Sequence, residues 1–247
     1  MAQLTDDCFA FGGPLLTVDD VERLIAERVT PVAGMERVAL RQARGRVLAG
    51  DVLASISLPP FDNSAVDGYA VRHSDLKPGG ETRLEIGTPV FAGHAGGASV
   101  AGQAIRIFTG APMPEGADTV FMQEDCRVDD DAVILPSGLK VGANRRLKGE
   151  DVKAGNVVLA AGTRLAVHHI AMAAAVGLTE LDVRRRVRVA IFSTGDEIVE
   201  PGSALPKAAV YDANRALLIA MAESLGADVT DLGILKDDEN VLAGALA

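Results

Sequence analysis

Cysteine is scarce: the 247 residues contain Cys8 and Cys126 and no others. Two thiols are too few for a disulfide scaffold or a four-cysteine metal centre, so both are expected as free or buried thiols in a reducing compartment. Basic residues are also in deficit, 24 Lys and Arg against 34 Asp and Glu, for a net charge of −10. That balance argues against nucleic acid as the main partner and against attraction to an anionic membrane surface. Long apolar runs are missing too. The most apolar stretch, 165–178, is too short to cross a bilayer. The opening MAQLTDDCFAFGG has neither the basic start nor the apolar centre of a secretory signal, so the protein is expected to be cytoplasmic. Aromatic residues are few, at 4% with no tryptophan. Even so, 48% hydrophobic and 23% charged residues is a globular balance, which excludes a disordered or collagen-like chain. The length gives one or two domains and enough chain for a real core.

Along the chain, residues 17–29 are predicted as a helix. Thr17 is placed to cap it, Asp19 and Asp20 lie in its first turn, and Val18, Val21, Leu24 and Ile25 share one apolar face. Residues 36–54 mix a short strand with a helical turn. More than half of the eleven prolines then fall between Ser57 and Asp118, among short, turn-bounded apolar runs. This predicts a small β-barrel or sandwich module over roughly 51–150, with Asp129–Asp131 as a solvated hairpin turn. Residues 155–176 return to a strand and an alanine-rich helix, with Gly177 at the expected left-handed stop. His168 and His169 are adjacent, so they point about 100° apart on a helix and do not easily share one ion. Arg184, Arg185, Arg186 and Arg188 precede a strand and read as a solvated or inter-domain face, or else as an anion contact. From Val187 the pattern is βαβα: a buried parallel strand (VRVAIFST), an amphipathic helix, a second strand (DVTDLGIL), and a helix capped by Asp237 or Asp238.

Ligands of parallel α/β sheets bind beyond the carboxyl ends of the strands. The first such end carries Ser193, Thr194, Gly195, Asp196 and Glu197, and the second carries Lys236 and Asp237. Neighbouring strands would bring Glu197 and Asp237 together, and Mg²⁺ with substrate phosphate would relieve their repulsion. The alternative is that they are solvated loop acids. Asp212 is expected to cap the intervening helix. Three other segments are too polar for core strands and too patterned for random loops. In 57–72 an Asx-type turn at Asp62–Ser64 precedes Asp67-Gly68. Asp67 is there a candidate base or metal-linked carboxylate, or simply a turn residue. In 106–124, Thr109-Gly110 precedes a loop stiffened by Pro112 and Pro114, suited to an anionic ligand. In 144–151, Arg145, Arg146 and Lys148 stand beside Glu150 and Asp151, a potential phosphate clamp that could support a metal.

Taken together, SLPPFDNSAVDGYAVR (57–72), RIFTGAPMPEGADTVFMQED (106–125), RRLKGEDVKAGNVVLAAGTRL (145–165) and RVAIFSTGDEIVEPG (188–202) resemble the molybdopterin molybdenumtransferase family, which includes the gephyrin E domain. The runs stand in the family's order and spacing, and the resemblance extends from about residue 14 to 247. It implies the final step of molybdenum cofactor synthesis: molybdate enters adenylylated molybdopterin and AMP leaves with Mg²⁺. It implies catalytic roles for Asp67, Thr109, Glu197 and Asp237. Cofactor binding falls to Arg145, Arg146, Lys148, Ser193, Thr194 and Gly195, and metal binding to Glu197, Asp237 and Asp151. It also implies a homodimer with a composite cleft, in which Asp67 and Thr109 face the partner's Glu197.

The fold implied is multi-domain, α/β and β, and elongated. A mixed helical and strand dimerisation domain (14–50 with 155–184) carries an inserted β-barrel-like module (51–154). Part of a three-layer, molybdopterin-binding-like α/β domain (185–247) follows. Two parallel strands and two helices cannot cover both faces of a parallel sheet. The family's further strands, its glycine-rich loop and its last β domain are also missing, so the chain is expected to be C-terminally truncated, the N-terminal part of a longer protein, or else a reduced relative that needs a partner for the rest. The competing readings are a non-catalytic dimerisation or scaffold module, or an inactive fragment. A nucleotide-dependent oxidoreductase is disfavoured, because no G-x-G-x-x-G follows the first α/β strand.

Overall fold

The computed structural model describes residues 16–95 and 97–246. Cys8 lies outside them. The chain divides into two compact units, residues 37–183 and residues 1–36 with 184–247.

The first unit holds a six-stranded sheet made of β1 (Gly68–Val71), β2 (Thr82–Val90), β3 (Gln103–Ile107), β4 (Thr119–Met122), β5 (Arg127–Asp129) and β6 (Ala132–Leu135). The strand order is β4-β1-β3-β2-β6-β5, antiparallel throughout except for the parallel pair β2 and β3. Side chains alternate across a strand, so the sheet has a core on each face. Tyr69 and Val71 pack with Leu84, Phe121, Val133 and Leu135 on one face, while Ala70 joins Ile105, Ile107 and Val120 on the other. Each fully buried side chain of this size contributes about 1.5–3 kcal/mol. The tight turn between β5 and β6 is the expected Asp129–Asp131 turn, with Asp130 in the left-handed region at φ +54°. Cys126 donates to the Met122 carbonyl at 3.1 Å, and burial pushes its thiol up to about 11.

The stretches on either side of the sheet in sequence share a separate core. Ala43, Leu48 and Val52 pack there with Leu159, Leu165, Ala173, Leu181 and Val183. The helix Val167–Ala175 lies in this part, and Gly177 ends it at φ +86° as expected. His169 is a structural residue. Its Nδ1 accepts the Ala166 N–H at 3.0 Å, capping the helix start, and its ring meets His168 edge-on at 4.0 Å.

The second unit begins with the helix Val18–Arg28. Thr17 and Asp20 close a reciprocal capping box on it. Most of the apolar face predicted for this helix stays open to solvent, with Val18 73%, Val21 41% and Ile25 54% exposed, while Leu24 is half-buried. The parallel pair is β7 (Arg188–Thr194) and β8 (Asp228–Leu235), joined through the helix Ala213–Ser224. Asp238, not Asp237, caps the helix Glu239–Leu246 by accepting the N–H groups of Asn240 and Val241 at 3.0 and 3.1 Å. The arginine run backs onto main chain. Arg185 bonds the Met35 carbonyl and Arg186 the Gly226 carbonyl, at 3.2 and 3.0 Å.

Candidate functional site

The three patterned segments of the first unit knit into one layer. Asn63–Ser64 pairs antiparallel with Arg145–Arg146. The Ser64 N–H donates to Ala111, the Gly110 N–H donates to Ser64, and the Met113 N–H donates to Asp62. Asp62 also accepts the Lys148 N–H at 2.7 Å and faces Arg145 at 3.7 Å. Residues more than eighty positions apart are therefore held by main-chain bonds, which gives their loops a fixed shape.

On this layer Asp67 and Thr109 meet. Asp67 Oδ1 accepts both the Thr109 N–H and the Thr109 hydroxyl, each at 2.7 Å. Those two bonds hold the Asp67 carboxyl below the usual range, with the Arg106 charge helping and partial burial opposing. Gly68 must follow Asp67, because a Cβ there would lie 1.8 Å from the Phe121 carbonyl oxygen of the neighbouring strand. The Arg145–Asp151 segment distributes its charges unevenly. Arg146 is occupied by Asp151 at 2.5 Å and by Glu150 at 3.6 Å, whereas the Lys148 side chain is exposed.

In the second unit, β7 and β8 end in register, Thr194 opposite Leu235. Glu197 and Asp237 therefore leave the same sheet edge. Beside that edge lies a cavity of about 400 Å³ lined by Ser193, Thr194, Tyr211, Asp212 and Asn214, among others. Gly195 turns the chain at φ +145°, a conformation reserved for glycine, and the Glu197 carboxylate folds onto it. A Cβ at position 195 would stand 2.8 Å from Glu197 Oε2. A two-residue parallel pair, Ile198–Val199 with Val210–Tyr211, closes the turn.

Behind the cavity sits a cluster that the sequence reading missed. Arg215 is buried and its guanidinium bonds three acids: Asp212 at 2.7 Å, Asp231 at 2.6 Å and Glu200 at 2.6 Å. Asp212 is the expected helix cap, accepting the Arg215 N–H at 3.1 Å. Burial pushes the Asp212 carboxyl up, but the bonds from Arg215 and the Ser193 hydroxyl outweigh it, and its net position is below the usual range. One available signal was Asp231, an acid inside a mostly apolar parallel strand.

Two family descriptions account for nearly all of the described chain. Residues 16–177 match the MoeA N-terminal region (domain I and II). The chain belongs to the MoeA family. Residues 190–247 match a second family described as a probable molybdopterin binding domain. Among curated MoeA relatives, the chain is 39% identical over 227 residues to the molybdopterin molybdenumtransferase of Haemophilus influenzae, covering 91% of this chain and 56% of that protein. It is 38% identical over 226 residues to molybdopterin molybdenumtransferase 2 of Mycobacterium tuberculosis, covering 90% of this chain and 56% of that protein. The crystal structure of the molybdopterin biosynthesis MoeA protein from Pyrococcus horikoshii superposes with a TM-score of 0.83 at 33% identity, over 91% of this chain and 61% of that one. The chain thus spans a little over half the length of the MoeA relatives it matches. The multi-domain α/β and β architecture expected from the resemblance is that of these MoeA structures.

Proposed function

We propose that the chain acts as a molybdopterin molybdenumtransferase, in which molybdate enters adenylylated molybdopterin and AMP is released with the help of Mg²⁺. The supporting observation is the sheet edge of the second unit, where Ser193 and Thr194 line a cavity and Gly195, Glu197 and Asp237 follow in sequence from the ends of two parallel strands. Glu197 and Asp237 fit Mg²⁺, which commonly takes one or two carboxylates and completes its shell with water and phosphate oxygens. Among the described residues, no group of three or more His, Cys, Asp or Glu side chains gathers to hold an ion by itself. When bound, the ion would polarise the phosphate oxygens that leave with AMP. The Thr194 hydroxyl and the open backbone at Gly195 bind the phosphates, while Ser193 lines the cavity with its hydroxyl proton given to Asp212. Arg145 and Lys148 offset the substrate's negative charge, and Arg146 supports them while paired to Asp151. Thr109 spends its hydroxyl proton on Asp67 and so presents its oxygen as an acceptor, which orients a donor on the substrate.

The working unit in this reading is a cytoplasmic homodimer. Its dimerisation domain (14–50 with 155–184) flanks the β module (51–154) and precedes the molybdopterin-binding part (185–247). The open face of Val18, Val21 and Ile25 supports an association surface, and the shared core of residues 43–52 and 159–183 supports the discontinuous domain. Asp67 and Thr109 would then face the partner's Glu197.

Calorimetric titration with Mg²⁺ and AMP tests the nucleotide half. Binding heat from the wild type is expected, with at least about tenfold weaker affinity in Glu197→Ala. Absence of heat from the wild type would leave a scaffold module instead. Gly195→Ala is expected to weaken the same binding. Its side chain forces both a rare backbone angle and displacement of the Glu197 carboxylate. Unchanged affinity in Gly195→Ala would count against Glu197 as a ligand.

A further inference from the structure

Arg106 has no part in the reaction proposed above, yet it is the hub of the ground beneath Asp67. It lies on β3 directly opposite Tyr69 on β1. Its guanidinium carbon sits 5.3 Å from the centre of the Tyr69 ring and 4.7 Å from that of Phe108. Phe108 is in turn stacked on Phe91, with centres 5.0 Å apart and planes 13° from parallel. Aromatic faces attract a guanidinium and limit its orientation, so Arg106 is held in one place. From there Nη1 donates to the Gly68 carbonyl at 2.9 Å, and Nη2 bonds the Gln123 side-chain oxygen. The Gln123 N–H donates to the Asp67 carbonyl at 3.0 Å. The peptides on both sides of the Gly68 Cα are therefore gripped, one by Arg106 and one by the residue Arg106 holds. Just past the end of the same strand, Phe108 leads straight into Thr109, the donor of both bonds to the Asp67 carboxylate.

We propose that Arg106 is a positioning residue for the proposed site: it sets the geometry of the Asp67–Thr109 pair through Gly68, Gln123 and Phe108. The inference rests on the reading of Asp67 as a site residue, but its primary test does not. The charged groups acting on Asp67 are Arg106, which favours its ionised form, and Glu124, whose carboxyl feels both Asp67 and Arg106. A role in folding alone would require only the packing of Arg106 between the two rings.

The test is an NMR titration of the Asp67 carboxyl carbon together with the Thr109 amide proton, on the ligand-free chain. Arg106→Gln is expected to raise the Asp67 midpoint and move the Thr109 amide signal upfield, as its bond to the carboxylate lengthens. Arg106→Lys is expected to restore the midpoint, because the charge returns. It does not restore the amide signal, because a single ammonium cannot reproduce the fork. Gln123→Ala removes an exposed side chain, so it folds whatever Arg106→Gln does. It is expected to move the amide signal in the same direction. If both Gln123→Ala and any folded Arg106 variant keep wild-type signals, the proposal is overturned. In turnover, Arg106→Gln is expected to lower kcat about tenfold with KM within about twofold. NMR shifts accompanied by an unaffected Asp67→Asn enzyme would sink the catalytic reading of Asp67 and leave the coupling to Arg106 standing.

Discussion

Asp67→Asn is expected to lower the rate of molybdenum cofactor formation by about 100- to 1,000-fold, the usual cost of losing one preorganised polar contact in an active site. The carboxylate receives two donors from a single residue, the Thr109 N–H and hydroxyl, both at 2.7 Å. Asparagine keeps one acceptor oxygen but no charge, and charged acceptors make about twice as strong a bond. The Thr109 hydroxyl is then free to rotate, and its oxygen no longer faces the substrate in one orientation. Those same donors hold the Asp67 carboxyl below the usual range, so it stays ionised below the pH at which an ordinary aspartate protonates. An acid limb from Asp67 is therefore not expected between pH 5 and 8. The check is cofactor formed from adenylylated molybdopterin and molybdate, alongside an unchanged melting temperature. A variant that stays within about threefold of wild type contradicts the assignment.

The second large effect is on stability. Arg215→Met is expected to destabilise the unit of β7 and β8 by about 3–5 kcal/mol, the cost of removing one partner from a buried ionic cluster. Asp212 is 4% exposed and would lose its main counter-charge, while Glu200 and Asp231 would lose the group that draws them together. The pH dependence has a definite sign. In the wild type, Asp212 and Asp231 both lie below their ordinary values. Their stabilisation is fully present above about pH 4 and is lost as pH falls through the lower folded values. Without the Arg215 guanidinium, burial of Asp212 is opposed only by the residue-215 N–H and the Ser193 hydroxyl, and its carboxyl rises. Protonation then relieves the variant as pH falls. Urea unfolding at pH 7 and at pH 4 should show the gap between wild type and Arg215→Met shrink in acid. A gap that grows in acid contradicts this account of the cluster.

Local chemistry was the part of the fold that could be read in advance. Thr17 and Asp20 announce a helix start, Gly177 a helix stop, and Asp129–Asp131 a turn, because each depends on neighbours within a few residues. The parallel pairing of VRVAIFST and DVTDLGIL was legible from their apolar runs, but the burial expected of VRVAIFST was not met: of the two strands' residues only Ile191 is buried. The site was half legible. The polar runs around Asp67, Thr109 and Arg145 stood out by composition, but the pairing of Asn63–Ser64 with Arg145–Arg146 depends on contacts across the whole module. Arg215 was hard to foresee for the same reason: its acids come from positions 200, 212 and 231, and the traces were the Asp212 spacing and the place of Asp231 within a strand. His169 shows the reverse limit. Its sequence position argued against an ion shared with His168, but gave no hint that its Nδ1 would cap its own helix.

In the proposed enzyme, Asp67 with Thr109, and Glu197 with Asp237, are two halves of one catalytic site contributed by two copies of the chain. Asp67→Ala and Glu197→Ala are each expected to be inactive. After the two variants are unfolded together and refolded, half the dimers are mixed and each mixed dimer carries one intact site of two. The recovered rate of cofactor formation should be about a quarter of wild type. A refolded mixture no more active than the separate variants would contradict the composite site.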